Sequence, residues 1–173
     1  GLDKDKLYGG KGDDLINGGT GSDYINAGEG DDTIEAGEGR DKILMGSGAD
    51  DVWGGADTDW FVFRTSDADN GSDGNNGNGN NGNGNNGNGN PITQNTNTIH
   101  DYTHDGSEND RLDLRSFNLL DDGASQTNWF ADYVTQNADF SVHINLGNLA
   151  IDLVDHDNQQ DQFLNQVFEG LEF

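Results

Sequence analysis

Seven aspartates recur nine residues apart: Asp5, Asp14, Asp23, Asp32, Asp41, Asp50 and Asp59. Two residues after each stands a large apolar side chain: Leu7, Ile16, Ile25, Ile34, Ile43, Val52 and Phe61. Four residues before each stands a glycine, from Gly1 and Gly10 through Gly19, Gly28, Gly37 and Gly46 to Gly55. One carboxylate beside a glycine-rich turn is poorly equipped for bond-breaking chemistry, but it suits a hard cation. Glycine reaches positive φ freely, so the backbone carbonyls of a turn can converge on one point. Ca²⁺ takes about six to eight oxygens at about 2.3–2.6 Å and tolerates irregular geometry, whereas Mg²⁺ demands a near-ideal octahedron and gives up water reluctantly.

The phrase runs Gly, Gly, any, Gly, any, Asp, any, large apolar, any, and its seven copies follow one another without a gap to Val62. Position one relaxes to Ala27, Ala36 and Met45, and position four is Asp3 and Asp57 in the outer copies, as befits the ends of an array. Two copies reverse the chain twice, which predicts a right-handed coil of short parallel strands stacked about 4.8 Å apart. Six turn residues and three extended ones are expected per copy, with position eight pointing inward. The aspartates then fall on two edges: Asp5, Asp23, Asp41 and Asp59 on one, and Asp14, Asp32 and Asp50 on the other. Between stacked turns there is room for about five ions at Ca²⁺–oxygen distances. One inward side chain contributes at most about 1.5–3 kcal/mol. Ordering the backbone costs about 1–2 kcal/mol for each residue of the copy, so burial alone does not hold such a coil.

The remaining composition narrows the function. The formal charge of −25 over 173 residues, from 33 acids against 8 Lys and Arg, disfavours nucleic acid and anionic lipid and favours cations. Cysteine is absent, which removes disulfides and thiolate metal sites. No apolar run approaches a membrane span. His100, His104, His143 and His156 are read as surface histidines and not as a zinc site. With no G-x-S-x-G, no H-E-x-x-H and no cysteine nucleophile, this segment is expected to be non-catalytic, with any enzyme activity in the rest of a longer chain. Gly1 falls inside the phrase, so the chain is read as a segment of a larger protein. A monomer is expected.

Three parts are expected. Residues 1–66 form the coil of seven repeats. Residues 67–91, an Asn/Gly tract, form a flexible loop or linker. Residues 92–173 form a β-rich cap, because NTIHDY, DRLDLRSF, FSVHINL and LAIDLV alternate apolar and polar residues. The closing LNQVFEGLEF reads as an edge strand, a small helix or part of an export signal. Trp53 and Trp60 are expected to face outward from the coil and to pack beneath the C-terminal segment.

The repeated phrase resembles the RTX (repeats-in-toxin) nonapeptide, whose β-helix binds Ca²⁺. GGADTDWFVF at 54–63 is similar to the last-repeat motif of that family, and NTIHDYTHDGSENDRLDLRSF at 97–117 to the segment that follows it. These features are shared by the C-terminal regions of serralysin-type proteases, alginate epimerase R-modules and large bacterial adhesins. The resemblance implies an all-β, right-handed parallel β-roll with a C-terminal β-rich cap. It implies Ca²⁺ held by the seven aspartate side chains and by the carbonyls of Gly10, Gly12, Gly19, Gly21, Gly28, Gly30, Gly37, Gly39, Gly46 and Gly48. Asp101 and Asp110 match acids near a further cation in some relatives, although THDGSEN lengthens the gap between them here. The implied role is Ca²⁺-driven folding outside a Gram-negative cell, in a secreted or surface protein that passes through type I secretion machinery. Two alternatives stand beside it: an R-module that binds a polysaccharide such as alginate, with Lys4, Lys6, Lys11, Arg40, Lys42 and Arg64 as its few cations, and the end of a large adhesin.

Overall fold

The computed structural model describes residues 1–64, 85–86, 90–91, 95–102, 109–117, 134–136, 141–146, 149–154 and 171–172. Most of the Asn/Gly tract, His104, His156, the THDGSE stretch at 103–108 and LNQVFEG at 164–170 lie outside the described residues. Among the described residues no helix is long and apolar enough to cross a membrane.

The seven copies give seven strands: β1 (Lys6–Lys11), β2 (Leu15–Thr20), β3 (Tyr24–Glu29), β4 (Thr33–Glu38), β5 (Lys42–Leu44), β6 (Asp51–Ala56) and β7 (Trp60–Val62). Alternate strands pair in parallel at an offset of two copies, Leu7 opposite Ile25 and Ile25 opposite Ile43 on one wall. Ile16 lies opposite Ile34 and Ile34 opposite Val52 on the other wall. The chain is therefore a parallel β-solenoid, an all-β roll, whose turn comprises two nonapeptides.

Two details correct the expectation from the phrase. The full strands run six residues, from position seven to position three of the next copy, so the extended stretch is twice the length anticipated. Because side chains alternate along a strand, position one also faces inward. Ala27, Ala36, Met45 and Phe63 are buried alongside Ile25, Ile34, Ile43 and Phe61. Where position one is not glycine it adds a second inward side chain, small at Ala27 and Ala36 and large at Met45 and Phe63.

The remaining strands are β8 (Asn85–Asn86), β9 (Asn90–Pro91), β10 (Asn95–Ile99), β11 (Arg111–Asp113), β12 (Val134–Gln136), β13 (Val142–Asn145), β14 (Leu149–Leu153) and β15 (Leu171–Glu172). Within the Asn/Gly tract β8 and β9 form a short antiparallel pair. The two walls do not stop at the repeats. On one, β10 stacks on β6 with Ile99 opposite Val52. On the other, β11 stacks on β7 with Leu112 opposite Phe61, and β15 follows in parallel. The first wall then changes character. β14 pairs parallel with β10, but β13 and β12 follow in antiparallel order, which ends the solenoid in a meander. A single apolar cluster runs from Ile16 through Phe61, Tyr102 and Leu112 to Val142, Ile144 and Leu153.

Candidate metal sites

The position-six aspartates are held from the neighbouring turn. On one edge Asp23 Oδ1 accepts the Asp5 N–H at 2.8 Å, Asp41 Oδ1 the Asp23 N–H at 2.7 Å, and Asp59 Oδ1 the Asp41 N–H at 2.8 Å. On the other, Asp32 Oδ1 accepts the Asp14 N–H at 2.8 Å and Asp50 Oδ1 the Asp32 N–H at 3.0 Å. The acids thus occupy the two edges that the eighteen-residue turn requires. Each turn is tied to the next by a carboxylate as well as by the strand ladder.

That leaves the second oxygen. Oδ2 of Asp14, Asp23, Asp32, Asp41 and Asp59 is buried and accepts no hydrogen bond. A buried polar atom without a partner costs about 1–3 kcal/mol, and more when it is charged. Burial pushes Asp32 and Asp41 up to about 6 and Asp59 up to about 9, against the opposing pull of the backbone N–H each accepts. The neighbouring carboxylates raise them further, Asp14 beside Asp32, Asp23 beside Asp41, and Asp110 and Asp41 beside Asp59. A bare carboxylate is thus poorly accommodated in these turns, and a cation would relieve both causes. Among the described residues no three acidic or imidazole side chains gather as an all-side-chain metal site. A cation here must therefore draw most of its oxygens from the backbone, which suits a hard ion.

The turns are built for that. Gly10, Gly12, Gly19, Gly21, Gly28, Gly30, Gly37, Gly39, Gly46 and Gly48 all have φ between 82° and 140°. A Cβ on Gly28 would stand 2.2 Å from the Gly10 carbonyl oxygen, so the stack admits no side chain there. Asp57 takes the same role in the last copy with φ 77°. Position five was not singled out by the sequence, yet it carries a second, outer ladder. Asp13 Oδ1 accepts the Asp31 N–H at 2.9 Å and Asp31 Oδ1 the Ala49 N–H at 2.9 Å. The doubled acids of GDD were the available signal.

Beyond the repeats the column continues with altered residues. Asp110, 2 % exposed, accepts the Asp59 N–H through Oδ1 at 2.9 Å and so stands where the next position-six acid would be. Asn97, fully buried, does the same for the Asp50 N–H at 3.1 Å. Asp101 is placed differently. Its Oδ1 and Oδ2 accept the N–H groups of Gly54 and Gly55 at 2.9 and 2.8 Å, supplying acceptors where the chain leaves the wall after Ile99. Trp53 stacks on His100, with centroids 4.0 Å apart, while Arg40 and Arg111 lie over Trp60 at 5.4 and 5.9 Å. Both indoles thus face outward and touch the C-terminal segment. His100 and His143 pair with Asp51 and Asp152.

Residues 1–34, 8–43 and 26–61 match the family model of the RTX calcium-binding nonapeptide repeat (4 copies). No curated protein matches the chain. Among solved structures, the AlgE6R3 subunit from the Azotobacter vinelandii mannuronan C5-epimerase is similar at 20% identity, over 100% of this chain and 80% of that one, with a TM-score of 0.34.

Proposed function

We propose that this array of RTX calcium-binding nonapeptide repeats, residues 1–61, is a Ca²⁺-driven folding module of a larger exported protein. The observation that carries the reading is the two columns of buried Oδ2 atoms that accept no hydrogen bond. Ca²⁺ between stacked turns, held by Asp5, Asp14, Asp23, Asp32, Asp41, Asp50 and Asp59 with the carbonyls of the positive-φ glycines, would supply their partner. With little free Ca²⁺ the charge of −25 keeps the chain open, as passage through type I secretion machinery requires. Outside the cell Ca²⁺ neutralises the edges, and folding and binding become one equilibrium. The parts at 1–66, 67–91 and 92–173 act in this reading as roll, loop and cap, and any catalysis lies elsewhere in the parent chain. Circular dichroism in chelator and then in CaCl₂ tests it: β-content should appear with Ca²⁺, and equal content in both conditions refutes it.

One observation favours a second, compatible role. Lys6, Tyr24, Lys42, Trp60 and Arg111 lie in register across β1, β3, β5, β7 and β11, a row of alternating cations and aromatic rings on an otherwise acidic molecule. Rings that stack on sugars and cations that meet carboxylates suit an acidic polysaccharide. Titration with alginate oligomers should shift NMR signals of this row alone, and shifts scattered over both walls would argue against it.

A further inference from the structure

We infer that the two edges of the roll end differently: Asp110 carries one cation column past the repeats, while Asn97 closes the other. The inference rests on the calcium reading above and concerns where the sites stop.

The two residues are geometric equivalents. Each is buried, and each accepts through Oδ1 the backbone N–H of the last repeat aspartate on its edge, Asp59 for Asp110 and Asp50 for Asn97. Each also stands two residues before an inward apolar residue that continues the core, Leu112 on Phe61 and Ile99 on Val52. Their second atoms differ in chemistry. The Asn97 amide cannot be turned around, since that would set its NH₂ against the Asp50 N–H, donor to donor. Nδ2 therefore takes the place that Oδ2 holds in the aspartates, and it is buried without a hydrogen-bond partner. An amide NH₂ offers a cation no lone pair and turns its positive end toward it.

On the opposite edge, Asp59 is fully buried, its Oδ2 accepts no hydrogen bond, and the next turn brings a second carboxylate, Asp110. That pairing repeats the relation of Asp41 to Asp59 within the repeats. The first edge then meets Ile151, which lies opposite Asn97 in β14, so its column stops at an apolar residue. Asn97 thus breaks the column at the first turn beyond the repeats, and the repeat phrase alone does not reveal it.

The test is Ca²⁺ stoichiometry, by isothermal titration of the whole chain and of two variants. Asn97→Asp restores the position-six carboxylate and should bind one more Ca²⁺, melting higher in CaCl₂. Asp110→Asn should bind one fewer. If the unaltered chain binds Ca²⁺ and Asn97→Asp leaves both the stoichiometry and the melting temperature in CaCl₂ where they were, the inference falls while the calcium reading stands. If the unaltered chain binds none, both fall. Should Asp110→Asn fail to fold, Asn97→Asp decides alone.

Discussion

The repeat coil and the segment that follows it build the same stack from different materials. In the coil, every copy repeats one aspartate and one large apolar residue, and its middle is lined by Ala27, Ala36, Ile25 and Ile34. In residues 95–154 the same walls are continued by Ile99 and Leu112, but the interior gains Tyr102, Leu114, Val142, Ile144 and Leu153. The first region relies on its edges, where carboxylates join turn to turn and where Ca²⁺ is proposed to bind. The second relies on its interior and on an antiparallel meander. A solenoid turn is thus a geometric slot, which a carboxylate-laced edge or a thick core can occupy.

The seam between the regions should show the largest effect. Phe61 is fully buried, lies between Ile43 and Leu112 in the ladder, and has the Tyr102 ring 6.3 Å away. Phe61→Ala should cost about 3–5 kcal/mol of stability in CaCl₂, read from the denaturant midpoint. Because the core is continuous, the whole unfolding transition should move together. Two separate transitions, with only one displaced, would show that the regions fold independently.

Next come the glycines, which separate stacking from local strain. Gly10 has φ 115° with open space where a Cβ would stand, whereas Gly28 has φ 119° and the Gly10 carbonyl oxygen 2.2 Å from that point. Gly10→Ala should cost the left-handed strain alone, about 1–2 kcal/mol. Gly28→Ala should cost clearly more, because two turns must part. Equal shifts in melting temperature would mean that the close approach of the turns contributes nothing.

Much of this was legible in the sequence. The nine-residue period fixed the parallel stack, the two edges and the inward position eight, because an unbroken repeat converts directly into an unbroken ladder. Counting failed beyond Val62, where the spacing is no longer nine. Ile99 and Leu112 are thirteen residues apart in sequence yet occupy successive slots on opposite walls. Asn97 could have been recognised as a position-six residue from Asn-x-Ile, but only after β10 had been placed on β6. Position one was misjudged for a different reason. Glycine there gives no hydropathy signal, so its inward direction appears only where Ala27, Ala36 and Met45 replace it.

The edges and the seam also differ in their response to acid. Without Ca²⁺, Asp32 and Asp41 at about 6 and Asp59 at about 9 all lie above the unfolded carboxylate value of about 4. A raised acid stabilises the fold fully below its unfolded value, and that stability is lost as pH climbs through the folded value. The metal-free chain should therefore gain β-structure on acidification from about pH 9 toward pH 4, as followed by circular dichroism. With Ca²⁺ present the trend should reverse, since protons compete for the same oxygens. A flat metal-free profile would show that the carboxylates are not desolvated as the buried Oδ2 atoms imply.

The smallest effect carries the opposite sign. At the C-terminal side of the seam Asp113 accepts the Arg115 Nε–H at 2.8 Å, and that guanidinium holds its carboxyl below the usual range. A depressed acid contributes stability above its unfolded value and loses it as pH falls through the folded value. Arg115 is largely exposed, so Arg115→Ala should cost no more than about 1 kcal/mol at neutral pH. The variant and the unaltered chain should converge in strong acid, where Asp113 is protonated in both. A difference in midpoint that persists at low pH would assign Arg115 a packing role instead. Such a result would leave the contrast between the regions to Asp32, Asp41 and Asp59 alone, whose carboxyls burial raises where Arg115 lowers that of Asp113.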